Sequence, residues 1–368
     1  MEYNVGYAVS NEFVPILAVS IVSLCKNIQD TDILNLYILN SDISSENKRK
    51  LSKLKKIKNF KLHYIYCDNS LFKNIVPGIS IHSNYRLMIG SLIPEVDKIL
   101  FLDADIVITK PLKELWTIDL KDNYIGAVID PGVELQYKYT IADKEKFPNK
   151  RYNTGLMLVN LKKWREEDVE KKLILGAEWY SSKYKNWPDQ NVMNMVFKDN
   201  ILTLDYKYNC CPILKNNNFY QEDGIWEIAS KDPVIIHYAG SPKVWEDPNQ
   251  MLGDIFWDYA KQTPYYESIV GLWQDQKINN MRKQIMKTID LNNNKIKQEY
   301  LNLIKNTEKK QKIIIENLIN YRHNLKSYRK YRFLKNITFG ETKKQYIEKS
   351  YYYKNKIDQV NKEINNGK

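Results

Sequence analysis

The sequence predicts an α/β protein with a mostly parallel, doubly wound central sheet, followed by a basic helical region. Strand and helix patterns alternate over the first hundred residues, which is typical of parallel sheets. The segment "KILFLDADIVIT" (98–109) is apolar on both faces, as strands covered by helices on both sides are. From about residue 276 the composition changes to Lys, Asn, Ile and Tyr.

The first elements follow one another through short connections. Strands are predicted at 3–10, 34–40 and 60–68, and helices at 14–28, 44–57 and 83–93. Ser44 or Ser45 caps the helix at 44–57, and Pro94 ends the one at 83–93. Because helices separate the strands, the strands run parallel, and ligands of such sheets bind beyond the carboxyl ends of the strands.

Beyond residue 110 the alternation of strand and helix signals is less regular. Strands are predicted at 124–130 and 156–161, and helices at 166–183 and 189–197. In the segment 233–245 an apolar strand is predicted to end at His237, and a turn follows it. The change of composition divides the chain into a globular domain at 1–275 and a helical extension at 276–368.

The charge is concentrated in that extension. The whole chain carries 56 Lys and Arg against 44 Asp and Glu, a net charge of +12. Residues 277–368 carry 23 against 8, which leaves a net charge of −3 on the rest. An extension this basic suits an anionic partner, either a membrane surface or nucleic acid.

Several features indicate a reduced, cytoplasmic protein. The four cysteines show no metal-type spacing. No stretch approaches the ~18 uncharged apolar residues of a membrane-spanning helix, and "MEYNVGYAVSNEF" lacks the basic and apolar regions of a signal peptide.

Asp103 and Asp105 interrupt the strand at 98–109, and a period of two directs both carboxylates to one face. Burying two unpaired carboxylates is costly. Three interpretations remain open. The residues cap turns or pair with Lys110 or Arg86; they form a general acid and base pair, as in glycoside hydrolases; or they bind a divalent cation that also holds phosphates.

The segment "IIHYAGSPKVW" favours the cation. His237 ends an apolar strand, where its imidazole could complete the coordination of a metal such as Mn²⁺. A turn with Gly240 and Pro242 brings Lys243 to the same place, and a lysine suits a diphosphate. The alternative for His237 is a structural histidine that is simply hydrogen-bonded.

Four segments in order resemble the family 8 glycosyltransferases, which are retaining enzymes of the GT-A fold. These are "FLDADIV", "YNTGLMLVNLKKW", "DQNVMN" and "HYAGSPKVW", and the resemblance covers residues 3–245. It implies a Rossmann-like nucleotide-sugar-binding domain at 1–275 with a mixed, mostly parallel sheet. It also implies a hexosyltransferase that moves glucose or galactose from a UDP-sugar to a glycan, a lipid-linked or lipopolysaccharide acceptor, or a glycoprotein.

The resemblance implies roles for individual positions. Asp103, Asp105 and His237 would bind Mn²⁺ or Mg²⁺. The substrate-binding residues would be Ala8, Ser10, Arg86, Asp103, Ala104, Asn153, Gly155, Asp189, Gln190, Gly240 and Lys243. Ala8 and Ser10 would hold uracil and ribose. Many members read Asp-Asp-Asn-Tyr at this place, whereas residues 10–13 of this chain read Ser-Asn-Glu-Phe. Asp189 could also cap the helix that begins there.

A bound cation would stabilise the charge that develops on the departing diphosphate. By the resemblance, Gln190 would lie beside the anomeric carbon, and a glutamine is a poor nucleophile. A front-side reaction is therefore favoured, in which the departing phosphate oxygen accepts the proton of the acceptor. Asp130 and Asp189 are the alternative nucleophiles.

Two other functions were weighed. A scaffold protein that has lost catalysis would act through its basic extension, but Asp103, Asp105 and His237 are all retained. A nucleotidyltransferase would need a glycine-rich, basic phosphate loop after the first strand, and "AVSNEFVP" has neither feature.

The basic extension interleaves Lys and Arg with Tyr, Phe, Leu and Ile over residues 327–356. This composition suits the headgroup region of an anionic bilayer and predicts peripheral attachment to the inner face of the plasma membrane. A solvated pair of helices is the alternative. Nucleic acid is disfavoured because no recognised binding motif accompanies the charge.

Overall fold

A computed structural model of the chain describes residues 1–76, 80–130, 150–184, 188–212, 224–289, 294–337 and 340–365. Two compact units are present, Met1–Gln276 and Lys277–Lys368. The strands are β1 (Glu2–Ala8), β2 (Ile33–Asn40), β3 (Lys61–Tyr66), β4 (Lys98–Leu102), β5 (Ile106–Ile108), β6 (Ile125–Ile129), β7 (Tyr152–Asn160), β8 (Ile201–Thr203) and β9 (Ile235–His237).

Twelve α-helices accompany these strands in the described residues. They are α1 (Val14–Lys26), α2 (Ser45–Ser52), α3 (Ile89–Leu92), α4 (Lys113–Trp116), α5 (Leu161–Glu166), α6 (Val169–Lys183), α7 (Pro188–Phe197), α8 (Ile225–Lys231), α9 (Gly253–Ala260), α10 (Tyr266–Ile289), α11 (Asn294–Ile337) and α12 (Gly340–Asn365).

The first unit contains a seven-stranded sheet in the order β3-β2-β1-β4-β7-β6-β8. The pairs β1–β2, β2–β3, β1–β4 and β6–β8 are parallel, whereas β7 runs antiparallel to β4 and β6. A second sheet consists of β5 and β9, which are antiparallel. The predicted α/β fold with a mixed, mostly parallel sheet is confirmed.

Apolar layers cover both faces of the large sheet. Alternate residues of one strand enter different layers: Leu100 and Leu102 of β4 pack in one core cluster, and Ile99 and Phe101 in the other. This arrangement is typical of strands covered on both sides. Because side chains close both faces of the sheet, a ligand-binding site is expected at the ends of the strands.

Helix α1 fixes the short strand β5. The Ser23 hydroxyl accepts a hydrogen bond from the Ile108 N–H at 2.9 Å, and Asn27 Nδ2 donates to the Ile108 carbonyl at 2.9 Å. Both backbone groups of one β5 residue are thereby satisfied by polar side chains, one from α1 and one from the residue that directly follows it. The position of β5 in turn places the residues immediately before it.

Two predicted elements are corrected. The segment 98–109 is two strands, because β4 belongs to the large sheet and β5 to the small one, with a turn between them. The predicted helix at 83–93 is a 3₁₀ helix over Ile81–Met88 followed by α3. The Ser80 hydroxyl accepts a hydrogen bond from the His82 N–H at 3.2 Å, which begins this tighter helix earlier.

The second unit contains the end of α10 together with α11 and α12, which pack against each other. Tyr331 of α11 stacks on Tyr353 of α12, with ring centroids 5.6 Å apart and 9° between the planes. Residues 338 and 339 of the predicted basic segment 327–356 lie outside the described residues. Among the residues that are described, no helix has the length and apolar character needed to cross a bilayer.

Candidate active site

Asp103 and Asp105 lie in the turn between β4 and β5, where the chain passes from the large sheet to the small one. The Asp103 N–H donates to the Gly155 carbonyl of β7 at 2.7 Å. The Asp105 carbonyl accepts from the Tyr238 N–H at 3.0 Å, directly after β9. Their carboxylates therefore converge because of this turn and not because of strand periodicity, which corrects the predicted reason for their closeness.

His237 completes a cluster with the two aspartates. It is the last residue of β9 and pairs with Ile106 of β5, so strand pairing places it beside the turn. Its Nε2 lies 3.3 Å from Asp105 Oδ1 and 3.8 Å from Asp103 Oδ2. One potential ligand atom from each of the three residues lies within 4.8 Å of the others.

The cluster has the chemistry of a divalent-cation site. Two carboxylate oxygens and one imidazole nitrogen suit Mn²⁺ and similar ions. Gly155 leaves the space beside the cluster free of side chain, because a Cβ atom there would lie 2.6 Å from Asp103 Oδ2. The residues present therefore fit a metal ion.

The second ring nitrogen of His237 is held by Asn209. The distance from His237 Nδ1 to Asn209 Oδ1 is 2.9 Å, and both side chains are buried. Asn209 was not predicted from the sequence. It precedes His237 by 28 positions in a segment with no recognisable motif, so no spacing in the sequence links the two residues.

Two cationic side chains face the aspartates. Arg86 Nη2 donates to Asp103 Oδ1 at 2.5 Å, and Lys243 Nζ contacts Asp105 Oδ2. Arg86 is 5% exposed, so its charge acts where water screens it little. The cluster therefore combines negative ligand groups with two positive charges at its edge.

The titration of Asp105 reflects these neighbours. Burial alone would raise the pKa of this carboxyl, but the charges and hydrogen bonds of Lys243 and His237 outweigh it and hold the pKa below its ordinary value. Burial would likewise lower the pKa of Arg86, and the charges of Asp103 and Asp189 instead raise it. Both groups are therefore charged near neutral pH.

Asp130 organises a neighbouring network. Its Oδ2 accepts hydrogen bonds from Asn153 Nδ2 at 3.0 Å and from Gln190 Nε2 at 3.1 Å. Gln190 Oε1 in turn accepts from the Thr154 N–H at 3.2 Å, and Asn153 Oδ1 accepts from the Gly155 N–H at 3.0 Å. The amides of Gln190 and Asn153 are therefore each bonded at both ends.

Asp189 joins the site through Arg86. It lies in the first turn of α7, and its Oδ2 is 3.6 Å from Arg86 Nε. Burial raises the pKa of its carboxyl, Arg86 opposes this shift, and the charge of Asp103 adds to it. Asp189 lies inside the first turn of α7, which begins at Pro188, and not at the capping position before it. The backbone N–H groups of this turn also lower the pKa of its carboxyl and so oppose the effect of burial.

The positions of the other predicted residues follow from the strands and turns in which they lie. Ala8 ends β1, whose Tyr7 pairs with Leu102 of β4, and Ser10 precedes a 3₁₀ turn. Ala104 lies between the two aspartates. Gly240 has a φ of 86° in the turn before Lys243, a left-handed conformation that favours glycine.

Comparison with known proteins places this geometry among glycosyltransferases. The sequence profile of glycosyl transferase family 8 matches residues 4–249. Glycosyltransferase GlyF of Streptococcus pneumoniae is 29% identical over 293 residues, covering 78% of this chain and 69% of that protein. A lipopolysaccharide 1,2-glucosyltransferase of Escherichia coli is 28% identical over 278 residues, covering 72% of this chain and 79% of that protein.

A solved structure supports the same likeness. The galactosyltransferase LgtC, crystallised with donor and acceptor sugar analogs, superposes with a TM-score of 0.61 and 27% identity. The match covers 72% of this chain and 96% of that one.

Proposed function

This chain belongs to glycosyltransferase family 8, and on that premise we propose that it transfers a hexose from a UDP-sugar to a glycan or glycoconjugate acceptor with retention of configuration. Residues 1–275 are the catalytic domain in this proposal. The observation that carries it is the convergence of Asp103, Asp105 and His237 beside the charges of Arg86 and Lys243.

Asp103, Asp105 and His237 would hold a divalent cation, Mn²⁺ or Mg²⁺. Such an ion, when bound, acts as a Lewis acid that stabilises the charge of the departing diphosphate. The cluster supports this assignment because its three ligand atoms lie within 4.8 Å of one another. Gly155 leaves the adjoining space open.

Arg86 and Lys243 would bind the donor through its phosphates. Lys243 is half-buried and already neutralises Asp105, so its ammonium is held at the edge of the cluster. The Arg86 guanidinium is buried and fixed between Asp103 and Asp189. Fixed positive charge in a site sheltered from water stabilises charge that develops on a leaving group.

Gln190, Asn153 and Asp189 would face the donor sugar. The hydrogen bonds of Gln190 to Asp130 and Thr154 fix its amide, which suits a group that orients the sugar. One carboxylate oxygen of Asp130 accepts hydrogen bonds from two amide groups. This bonding favours a front-side reaction over attack by Asp130, with Asp130 and Asp189 kept as the alternative nucleophiles.

Glucose and galactose are the proposed donor sugars. The Escherichia coli relative is named a lipopolysaccharide 1,2-glucosyltransferase, and LgtC is a galactosyltransferase. By this similarity the acceptor class would be a glycan, lipopolysaccharide or another glycoconjugate. Ala8 and Ser10 would contact the uridine, since the end of β1 lies next to β4 in the sheet.

The helical unit would attach the enzyme to an anionic membrane surface. Residues 277–368 have 23 basic against 8 acidic residues. Exposed apolar and aromatic side chains accompany this charge: Ile314, Ile319, Phe333, Tyr351 and Tyr352. Basic residues near an anionic bilayer contribute about 1 kcal/mol each, and inserted aromatic side chains add to this attachment.

The test is release of UDP from UDP-glucose and UDP-galactose, with Mn²⁺ and then with EDTA. We expect slow hydrolysis of one donor that requires the metal and is lost in Asp103→Asn. The matched control is Asp97→Asn, because Asp97 lies just before the other end of β4 with its side chain 72% exposed. It should release UDP at the wild-type rate.

Absence of both turnover and metal-dependent UDP binding would contradict the proposal and favour the scaffold alternative. Metal-independent turnover would contradict the role of the Asp103 cluster while leaving sugar transfer in place. Equal loss in Asp97→Asn would show that the effect is not specific to the cluster.

A further inference from the structure

We propose that Asn209 is a positioning residue for the metal site. Its amide oxygen would hold the Nδ1 proton of His237 and so direct the Nε2 lone pair toward Asp103 and Asp105. This inference rests on the proposed metal-dependent function.

The contact between Asn209 and His237 is short and sheltered. His237 Nδ1 lies 2.9 Å from Asn209 Oδ1, and the two residues are 3% and 2% exposed. Water therefore competes little for this hydrogen bond. A neutral imidazole carries one proton on its two nitrogens, so an acceptor at Nδ1 leaves Nε2 free to bind a metal ion.

Backbone pairing holds Asn209 in this place. The next residue, Cys210, donates its N–H to the Ile235 carbonyl at 3.0 Å and accepts from the His237 N–H at 2.8 Å. Asn209 N–H donates to the Tyr206 carbonyl at 3.1 Å. The segment is thus bonded alongside β9, which keeps the backbone of Asn209 within reach of His237.

Loss of Asn209 would favour the wrong tautomer. Nε2 lies 3.3 Å from Asp105 Oδ1 and 3.8 Å from Asp103 Oδ2, so these carboxylates would accept a proton placed on Nε2. That proton would occupy the ligand atom. Outer residues that orient a metal-binding histidine typically change metal affinity by about 10- to 100-fold.

The experiment measures Mn²⁺ affinity by electron paramagnetic resonance of the free ion, without donor sugar, in the full chain. We expect Asn209→Leu to weaken Mn²⁺ binding by about 10- to 100-fold. Asn209→Asp keeps an acceptor oxygen and should restore most of the affinity. If Asn209→Leu does not fold, Asn209→Ala removes the same acceptor with less bulk and carries the same expectation.

The matched control is Asn35→Leu. Asn35 is 4% exposed and donates to Glu2 Oε1 at 2.8 Å and Asn4 Oδ1 at 2.9 Å, with no part in the cluster. Its loss should lower the melting temperature and leave Mn²⁺ affinity unchanged.

Each result decides the inference. Wild-type Mn²⁺ affinity in Asn209→Leu, or a loss in Asn209→Asp as large as in Asn209→Leu, would overturn it while the proposed function stands. Failure of the wild-type chain to bind Mn²⁺ would overturn both this inference and the metal-dependent part of the function.

Discussion

A Cβ atom on Gly155 would lie 2.4 Å from His237 Cε1, far closer than non-bonded carbon atoms approach. The same atom would lie 2.6 Å from Asp103 Oδ2. A side chain at position 155 would therefore push apart two of the three proposed metal ligands. The absence of a side chain at Gly155 is a condition for the geometry of the cluster.

Gly155→Ala should weaken Mn²⁺ binding at least about tenfold, as displacement of groups that hold a metal ligand in place does. Titration with Mn²⁺ measures the change. Gly271→Ala is the control, because a Cβ atom at that position in α10 meets no atom within 4 Å. It should leave affinity unchanged and stabilise the helix by up to about 1 kcal/mol. Unaltered affinity in Gly155→Ala would contradict the geometry.

Arg86→Ala should strongly destabilise the fold. The change leaves Asp103 and Asp189 without the buried charge that they share, and breaking a buried pair typically costs about 3–5 kcal/mol. Urea denaturation measures the free energy of unfolding. The exposed pair of Arg165 with Asp97, at 2.6 Å, provides the control: Arg165→Ala should cost no more than about 1 kcal/mol. Equal losses in the two variants would argue against the electrostatic role.

Asp130→Asn should slow transfer without abolishing it. The variant replaces the charged oxygen to which Asn153 and Gln190 both donate by a neutral amide oxygen. Hydrogen bonds to a charged acceptor are stronger than those to a neutral one, so we expect a cost of about 1–2 kcal/mol, or roughly five- to thirtyfold in rate. Steady-state rates give the effect. Full loss of transfer, together with formation of an inverted glycosyl azide when azide is added, would instead identify Asp130 as a nucleophile.

The cysteines should be unreactive in the native protein. Burial raises the pKa of Cys25, Cys67 and Cys210 to about 12 and raises that of Cys211 as well. The reactive thiolate is therefore scarce at pH 8. A colorimetric disulfide reagent should titrate no thiol in native buffer and four in guanidinium. Rapid reaction of one thiol in native buffer would contradict its burial.

A triple variant of the helical unit should float with anionic liposomes at least about tenfold less than the wild-type chain. It combines Phe333→Ser, Tyr351→Ser and Tyr352→Ser, whose exposed side chains would insert into the interface between bilayer and water. The control replaces Tyr66, Leu71 and Leu175 of the first unit by Ser, three residues of similar exposure. Equal flotation of the two triple variants, or equal binding to neutral liposomes, would contradict attachment through the helical unit.

The strands at the centre of the fold could be predicted because their apolar runs are nearly continuous. The turn at Asp103–Asp105 could not, because Ile106–Ile108 remain apolar after leaving the large sheet. Their partner is β9, and the sequence of β5 is the same whether its partner lies in one sheet or the other. A run of apolar residues indicates that a strand is buried. It does not indicate which neighbouring strand forms hydrogen bonds with it.

Some residues of the candidate site could likewise be predicted from the sequence, and one could not. Asp103, His237 and Arg86 stand in recognisable motifs, and the structure places them together. Asn209 stands in no motif. It reaches His237 only because Cys210 bonds to Ile235 across the fold. Residues that act by holding another side chain depend on such tertiary pairing, which local sequence does not reveal.

The pairing of β5 with β9 also has a consequence for biosynthesis. Ile106–Ile108 leave the ribosome long before Ile235–His237, so the nascent chain carries an apolar strand whose partner does not yet exist. Unpaired strand edges promote aggregation. The same short strand that covers this edge ends in His237. During synthesis the edge of β5 is therefore covered in the same step that brings His237 to Asp103 and Asp105.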